Sequence, residues 1–288
     1  MARAQLSIPG LAEMKARGEQ IVMVTAYDFP TGRMADRAGV DVVLVGDSGA
    51  QVVLGYDSTV GVTMDEMIVL ASAVRRGVTE ALVVCDVPFG STELSDEQAV
   101  ATAIRFVKEA GADAVKIEGA TPQRLSRIRA ITAAGIPVVA HIGLTPQTAT
   151  ALGGLRAQGR TAATAERVVT EALAVEEAGA VAVVAEAVPS EVTELVVPRL
   201  QIPVIGIGAG PADGQVLVLH DLLGITEGRV AKFVKRFASI GDDAVTAIQS
   251  YAAEVRAGSF PAADHQYHAD ADVVAAASAA LTGGRGER

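Results

Sequence analysis

Asp41-Val42-Val43-Leu44-Val45-Gly46-Asp47-Ser48 is a short run of β-branched and aliphatic residues that stops at a glycine and then presents an acid and a hydroxyl. A strand buried on both faces reads this way, because helices cover each side and the run need not alternate. The arrangement recurs downstream. Leu82-Val83-Val84-Cys85-Asp86 ends on an acid, and Asp113-Ala114-Val115-Lys116-Ile117-Glu118-Gly119 ends on a base and an acid. Three successive strands of a parallel sheet would therefore each deliver a carboxylate to one end.

The flanking chain repeats the unit. Residues 12–20 have helical composition and would plug one end of the fold before residues 21–28 open the sheet. Residues 28–39 read as a helix closed by Gly39. Thr63 with Glu66, and Ser95 with Gln98, form capping boxes after strands two and three, and Thr121-Pro122 supplies an N-cap with proline at the first helical position. Strand five (136–141) ends on His141 and strand six (180–186) on Glu186; strands seven and eight fall at 202–210 and 215–221, and a last helix at 242–256. Variants of Ala-Gly-Ala/Val-Asp-x-Val near 38–42, 110–115 and 178–183 mark helix exit, turn and strand start. They punctuate βα units and do not form a solenoid repeat.

Eight strands alternating with helices predict a (β/α)8 TIM-type barrel with an N-terminal plug helix and an extra C-terminal helix, in preference to an open doubly wound sheet. The glycine-punctuated stretch 49–62 is expected to be a lid or binding loop. Residues 1–268 are expected to form a single barrel domain, and the Ala- and Gly-rich tail 269–288 to be disordered.

Composition narrows the function. With 288 residues, half of them hydrophobic, the chain can bury a full barrel core. A net charge of −10 argues against a nucleic-acid or anionic-membrane surface. One cysteine excludes an internal disulfide framework and suits a reducing cytoplasm. The first residues lead into no apolar signal region, and Gly, Pro or charge interrupts every apolar run before a bilayer's width. A soluble, cytoplasmic protein is expected.

In a closed barrel the strand ends converge on one pocket. Side-chain alternation puts Val43, Val45 and Asp47 on one face, likewise Leu82, Val84 and Asp86, and likewise Lys116 and Glu118. Carboxylates so gathered repel one another, which a divalent cation resolves; oxygen ligands favour Mg²⁺. Lys116 beside them favours an anionic substrate. The alternative is that Asp47 and Asp86 cap loops or helix N-termini. Glu186 has the apolar neighbours Val184, Ala185, Ala187 and Val188, a setting that makes a carboxylate a better proton acceptor. His141 either orients a substrate oxygen or is a hydrogen-bonded core histidine. Gly206-x-Gly208-x-Gly210 either cradles a phosphate or lets strand seven turn. Cys85, next to Asp86, must face the helix layer and reads as packing. His265 and His268 lie in a polar stretch that reads as a surface tail.

Seven ordered strings carry a family resemblance: Val-Thr-Ala-Tyr-Asp (24–28), Val-Gly-Asp-Ser (45–48), Asp-Val-Pro-Phe (86–89), Val-Lys-Ile-Glu-Gly (115–119), His-Ile-Gly-Leu-Thr-Pro-Gln (141–147), Gln-Gly-Arg (158–160) and Pro-Val-Ile-Gly-Ile-Gly-Ala-Gly (203–210). From about residue 6 to 268 the chain resembles the ketopantoate hydroxymethyltransferases of pantothenate biosynthesis. The resemblance implies Mg²⁺ held by Asp47 and Asp86, with Glu118 binding directly or through water. It implies a 2-oxo acid chelating the metal and held by Ser48 and Lys116, and Glu186 as the base that removes the C3 proton of 3-methyl-2-oxobutanoate. The resulting enolate would attack the methylene carbon of 5,10-methylenetetrahydrofolate, giving 2-dehydropantoate and tetrahydrofolate. The expected substrate-binding set is thus Asp47, Ser48, Asp86, Lys116 and His141; the metal set is Asp47, Asp86 and Glu118; the catalytic base is Glu186. The resemblance also implies a homo-oligomer, a decamer. Gly49-Ala50 and Arg156-Ala157 depart from strings common in the family.

Two other readings compete. One is a lyase or mutase of the phosphoenolpyruvate mutase and isocitrate lyase barrels, whose lyases use a loop cysteine; here Cys85 is on the wrong face. The other is a non-catalytic keto-acid-binding barrel, which would need no base at Glu186.

Overall fold

The computed structural model describes residues 6–228 and 230–283. The apolar runs form a closed barrel of eight parallel strands in sequence order, with β1 (Ile21–Thr25) hydrogen-bonded to both β2 (Val42–Val45) and β8 (Gly214–Leu217). Between them stand β3 (Leu82–Asp86), β4 (Ala114–Glu118), β5 (Val138–Gly143), β6 (Ala182–Glu186) and β7 (Val204–Ile207). The strands are short, and apart from exposed positions at Val22 and Gln215 in β1 and β8 they are mostly buried on both faces, so their apolar residues split between two layers. Val43, Val45, Val83, Cys85, Val115 and Ile117 pack outward under the helices, while Val42, Leu44, Leu82, Val84, Val139 and Val184 fill the barrel. Burying each such side chain stabilises the fold by about 1.5–3 kcal/mol.

The helices start where local chemistry supplies a cap. In α1 (Ile8–Ala16), Ser7 accepts from Gly10 N, and Leu11 and Met14 join the inner cluster with Ile21 and Met23, so this helix plugs the amino-terminal end. Asp28 caps α2 (Phe29–Arg37). After β2 come α3 (Gly49–Val52) and α4 (Met64–Gly77), the latter opened by the reciprocal Thr63–Glu66 box. Ser95 accepts from Gln98 N to open α5 (Asp96–Arg105), but the Gln98 side chain takes the Leu94 N–H instead of closing the box. Thr121 caps α6 (Pro122–Ala133). Then follow α7 (Ala162–Glu177), α8 (Ser190–Val196), α9 (Leu219–Leu222), α10 (Ile240–Ala257) and α11 (Ala271–Gly283). No described helix is long and apolar enough to cross a membrane.

Several expectations are corrected. Stretch 49–62, expected as a lid or binding loop, carries α3 and a 3-10 turn, Thr59–Gly61, and its Gln51 and Thr59 line the cavity described below. The eighth strand stops at Leu217, since the Leu219 N–H bonds Thr25 Oγ1 and not a strand neighbour. The tail expected to be disordered is helical over Ala271–Gly283. Alanine brings little apolar surface but the highest helix propensity, and the second property prevails. The chain divides into compact units at 1–238 and 239–288.

Acids that precede strands tie the barrel's lower rim. Asp41 Oδ2 accepts from Val22 N, Asp113 Oδ2 from Val83 N and Asp213 Oδ2 from Val204 N, each at 2.8 Å. The Asp of the repeated sequence phrase thus latches one strand to its neighbour.

Candidate active site

At the carboxyl ends of the strands, the inward-facing stripe turns from apolar to polar. Leu82 and Val84 lead to Asp86, Ala114 to Lys116 and Glu118, Val139 to His141, and Val184 to Glu186. All seven residues expected from the sequence, Asp47, Ser48, Asp86, Lys116, Glu118, His141 and Glu186, line one cavity of about 550 Å³.

Asp47 arrives by a route the alternation argument had wrong. Val43 and Val45 face the helices, so strict alternation would send Asp47 outward as well. Instead β2 ends at Val45, the chain turns at Gly46, and the Asp47 N–H donates to Asp86 Oδ2 at 3.0 Å. A Cβ at Gly46 would stand 2.7 Å from Ser48 Oγ, so the turn requires glycine.

The floor is crowded with charge. Asp86 Oδ1 lies 2.5 Å from Lys116 Nζ in a buried ion pair. Burial, then Asp86 and Glu118, push the Asp47 carboxyl well above the usual carboxylate range. Burial opposes the charge on Lys116, but Asp86, Glu118 and Asp47 outweigh it and hold the ammonium above its ordinary value. Burial likewise opposes the charge on Glu118, but His141, Lys116 and the Gln147 N–H keep this carboxyl below its ordinary value.

His141 sits between two acids, with Nδ1 3.4 Å from Glu118 Oε1 and Nε2 3.2 Å from Glu186 Oε2. Burial and Lys116 oppose its protonation, yet Glu118 and Glu186 prevail and push it up to about 9. Lys116 Nζ is also 3.2 Å from Nδ1, so this nitrogen either accepts from Lys116 or, protonated, faces Glu118. Glu186 is therefore a partner of the His141 ring; of its apolar sequence neighbours, Val184 and Ala187 line the cavity with it, while Ala185 and Val188 pack outward. The next residue, Ala187, has a left-handed φ of 49°, held by its N–H to Ile207 O and by Gln158 N to its own carbonyl, both 2.9 Å.

Two residues escaped the sequence reading as individuals. Gln147 donates through Nε2 to Asp47 Oδ2 and Val87 O, both at 2.9 Å, and through its backbone N to Glu118 Oε2 at 3.0 Å. Tyr27 OH is 2.8 Å from Ser48 Oγ, and burial pushes its phenol up. Both stand inside the motif strings, but an amide and a phenol carry no signal of their own. Gly208 and Gly210 serve packing and not a visible phosphate cradle: a Cβ on either would come 2.4 Å from Phe233 or Ser190 respectively. Cys85 is fully buried in the outer layer, where burial pushes its thiol up.

The chain matches the family model described as ketopantoate hydroxymethyltransferase over residues 5–263. The chain belongs to that family. A relative from Rhodococcus jostii is 54% identical over 259 residues, 89% of each chain, and one from Alkaliphilus metalliredigens is 50% identical over 262 residues, 91% of this chain and 93% of its own. Both are named 3-methyl-2-oxobutanoate hydroxymethyltransferase. Among solved structures, a phosphoenolpyruvate phosphomutase from Streptomyces platensis superposes with a TM-score of 0.61 at 19% identity, covering 96% of each chain. A phosphonopyruvate hydrolase complexed with oxalate and Mg²⁺ superposes with a TM-score of 0.59 at 13% identity. At such identities these two share the fold, and family membership rests on the sequence relatives.

The family's Mg²⁺ can be tested against these side chains. Two buried carboxylates side by side, Asp86 and an Asp47 whose charge its surroundings oppose, are what a hard cation would relieve. Glu118 has Gln147 N on one oxygen and His141 beside the other, which suits a water-mediated role. Among the described residues no three His, Cys, Asp or Glu side chains are grouped to hold a metal by themselves. Mg²⁺ commonly takes one or two carboxylates and fills its other positions with water and substrate, so Asp47 and Asp86 fit it.

Proposed function

We propose that the chain transfers a hydroxymethyl group from 5,10-methylenetetrahydrofolate to 3-methyl-2-oxobutanoate, and that Asp47, Ser48, Asp86, Lys116, Glu118, His141 and Glu186 carry this reaction. The observation that bears most weight is the vertical order of the cavity: a buried ammonium and paired carboxylates at the floor, with Glu186 nearer the mouth. A small 2-oxo acid fits that order. Its carboxylate and keto oxygens point down to Lys116 and Ser48, and C3 points up to Glu186.

Asp47 and Asp86 would hold Mg²⁺, which supplies Lewis acidity at the keto oxygen. Lys116 neutralises negative charge on the bound acid and on the enolate that follows. Tyr27 and Gln147 fix Ser48 and Asp47 by the hydrogen bonds described. Glu186 takes the proton from C3, with His141 Nε2 3.2 Å from its Oε2 to fix the side chain's position. The enolate carbon then bonds to the donor's methylene carbon. Both carbon–nitrogen bonds of the methylene bridge break, water supplies the hydroxyl oxygen, and the two nitrogens take up the C3 proton and one proton of the water. The products are 2-dehydropantoate and tetrahydrofolate.

The decisive experiment follows exchange of the C3 hydrogen with deuterated water, which needs no folate. Glu186→Gln keeps the side chain's shape but cannot accept a proton, so exchange is expected to fall by roughly 10²–10⁴ while keto-acid binding persists. Exchange at the wild-type rate in the variant would remove Glu186 as the base.

A further inference from the structure

The keto acid accounts for a small part of a 550 Å³ cavity, whose size is that of a site for a much larger ligand. Burial orients the acid. The side chains of Asp86, Lys116, Glu118 and His141 are 3–5% exposed, whereas that of Glu186 is 17% exposed. A keto acid with its oxygens at the floor therefore presents C3 towards the mouth. Below the floor, Leu44, Val84 and Val184 fill the barrel, so the one-carbon donor reaches C3 from the mouth.

The mouth wall beside Glu186 is built in an unusual way. Ile207 is the strand partner of Glu186, and the following Gly208 has φ +63°. A Cβ at 208 would stand 2.4 Å from Phe233 Cδ1 and under 3 Å from two further ring atoms. Glycine thus lets the Phe233 ring sit against the backbone next to the base, with the residue still 37% exposed on the cavity side of the rim. Arg156 and Lys232, both exposed, line the same rim. The acid there, Asp221, is engaged by Thr226 Oγ1 at 2.6 Å. On a chain of net charge −10, two cations at a pocket mouth create a local field that draws anions in.

We propose that Phe233, with Arg156 and Lys232, forms the subsite of the one-carbon donor. Phe233 packs against the flat pterin ring, and the two cations meet the carboxylates of the donor's glutamyl tail. This rests on the transferase reading and adds which residues hold the second substrate. Gly208 is the positioning residue of the arrangement, since any side chain there displaces the ring.

The test titrates the full-length protein calorimetrically with tetrahydrofolate, which has no carbon to transfer. Phe233→Ala is expected to weaken binding roughly tenfold and to raise the KM for methylenetetrahydrofolate equally, with the KM for keto acid unchanged. Phe233→Tyr restores both. The double variant Arg156→Ala, Lys232→Ala is expected to lose roughly threefold to tenfold in affinity for polyglutamylated tetrahydrofolate, a loss that shrinks in high salt. Wild-type tetrahydrofolate affinity in Phe233→Ala and in the double variant, with circular dichroism unchanged, overturns the subsite. An equal rise in the keto-acid KM also overturns it, because the pocket as a whole would then have shifted. Deuterium exchange at C3 separates the two readings: its absence in wild type overturns the transferase itself, whereas its presence alongside unaltered folate binding in the variants overturns the subsite alone.

Discussion

At the amino-terminal end of the barrel Lys15 and Asp213 lie 2.8 Å apart, and at the carboxyl end Lys116 and Asp86 lie 2.5 Å apart. Both pairs are buried or nearly so, yet their surroundings differ. Lys15 also donates to Val197 O at 2.9 Å, and Asp213 Oδ2 also accepts the Val204 N–H, so this lower pair is completed by backbone. Above, Asp86 Oδ1 meets the Lys116 ammonium, His141 stands between Glu118 and Glu186, and Asp47 crowds the same cavity, so this cluster is made of charged side chains rather than backbone. The lower pair joins strands through backbone partners, whereas the upper pair belongs to a cluster of charged side chains that lines a cavity.

That contrast can be broken by substitution at either end. Asp86→Asn is expected to lower turnover by roughly 10²–10⁴ without lowering the melting temperature, since it removes one of several like charges. Turnover and thermal melts on one preparation check this, and a clear loss of stability would make Asp86 a second Asp213. Lys116→Met is expected to weaken keto-acid binding by about 1.5–3 kcal/mol, read by competition with a non-reactive keto acid; unchanged affinity would place the ammonium outside the substrate's reach. At the other end, Asp213→Asn is expected to cost about 1–2 kcal/mol of stability and to leave turnover at the wild-type level, measured by urea titration beside the enzyme assay. Lost activity there would erase the difference between the two ends.

The smallest effect concerns His141. Its folded value of about 9 lies above the ordinary 6.5, so the stability it adds is fully present below pH 6.5 and is lost as pH rises through about 9. Denaturant titrations of the protein in a metal chelator are expected to show that decline, and His141→Asn to flatten it. A wild-type profile equally flat across the window would mean that Glu118 and Glu186 do not hold the ring protonated.

What local chemistry along the chain accounts for is considerable. Apolar β-branched runs ended by polar residues announce buried parallel strands, Thr63 with Glu66 opens α4, and eight such units close a barrel whose strand ends must meet. The family strings then single out residues that do line one cavity, Asp47 to Glu186. Even the inward direction of Asp86, Lys116, Glu118, His141 and Glu186 follows from alternation, because each lies within its strand. Alternation stops being a guide once the backbone leaves the sheet. Asp47 enters the pocket through the turn at Gly46, against the face of Val43 and Val45. Gln147 reaches Asp47 across 100 positions, Tyr27 finds Ser48 across 21, and Phe233 finds Gly208 from beyond β8 and α9. Such contacts depend on where the closed barrel brings distant backbone segments, and no local pattern encodes that distance. The identity of the pocket was therefore written along the strands, while its internal wiring exists only once the barrel has closed.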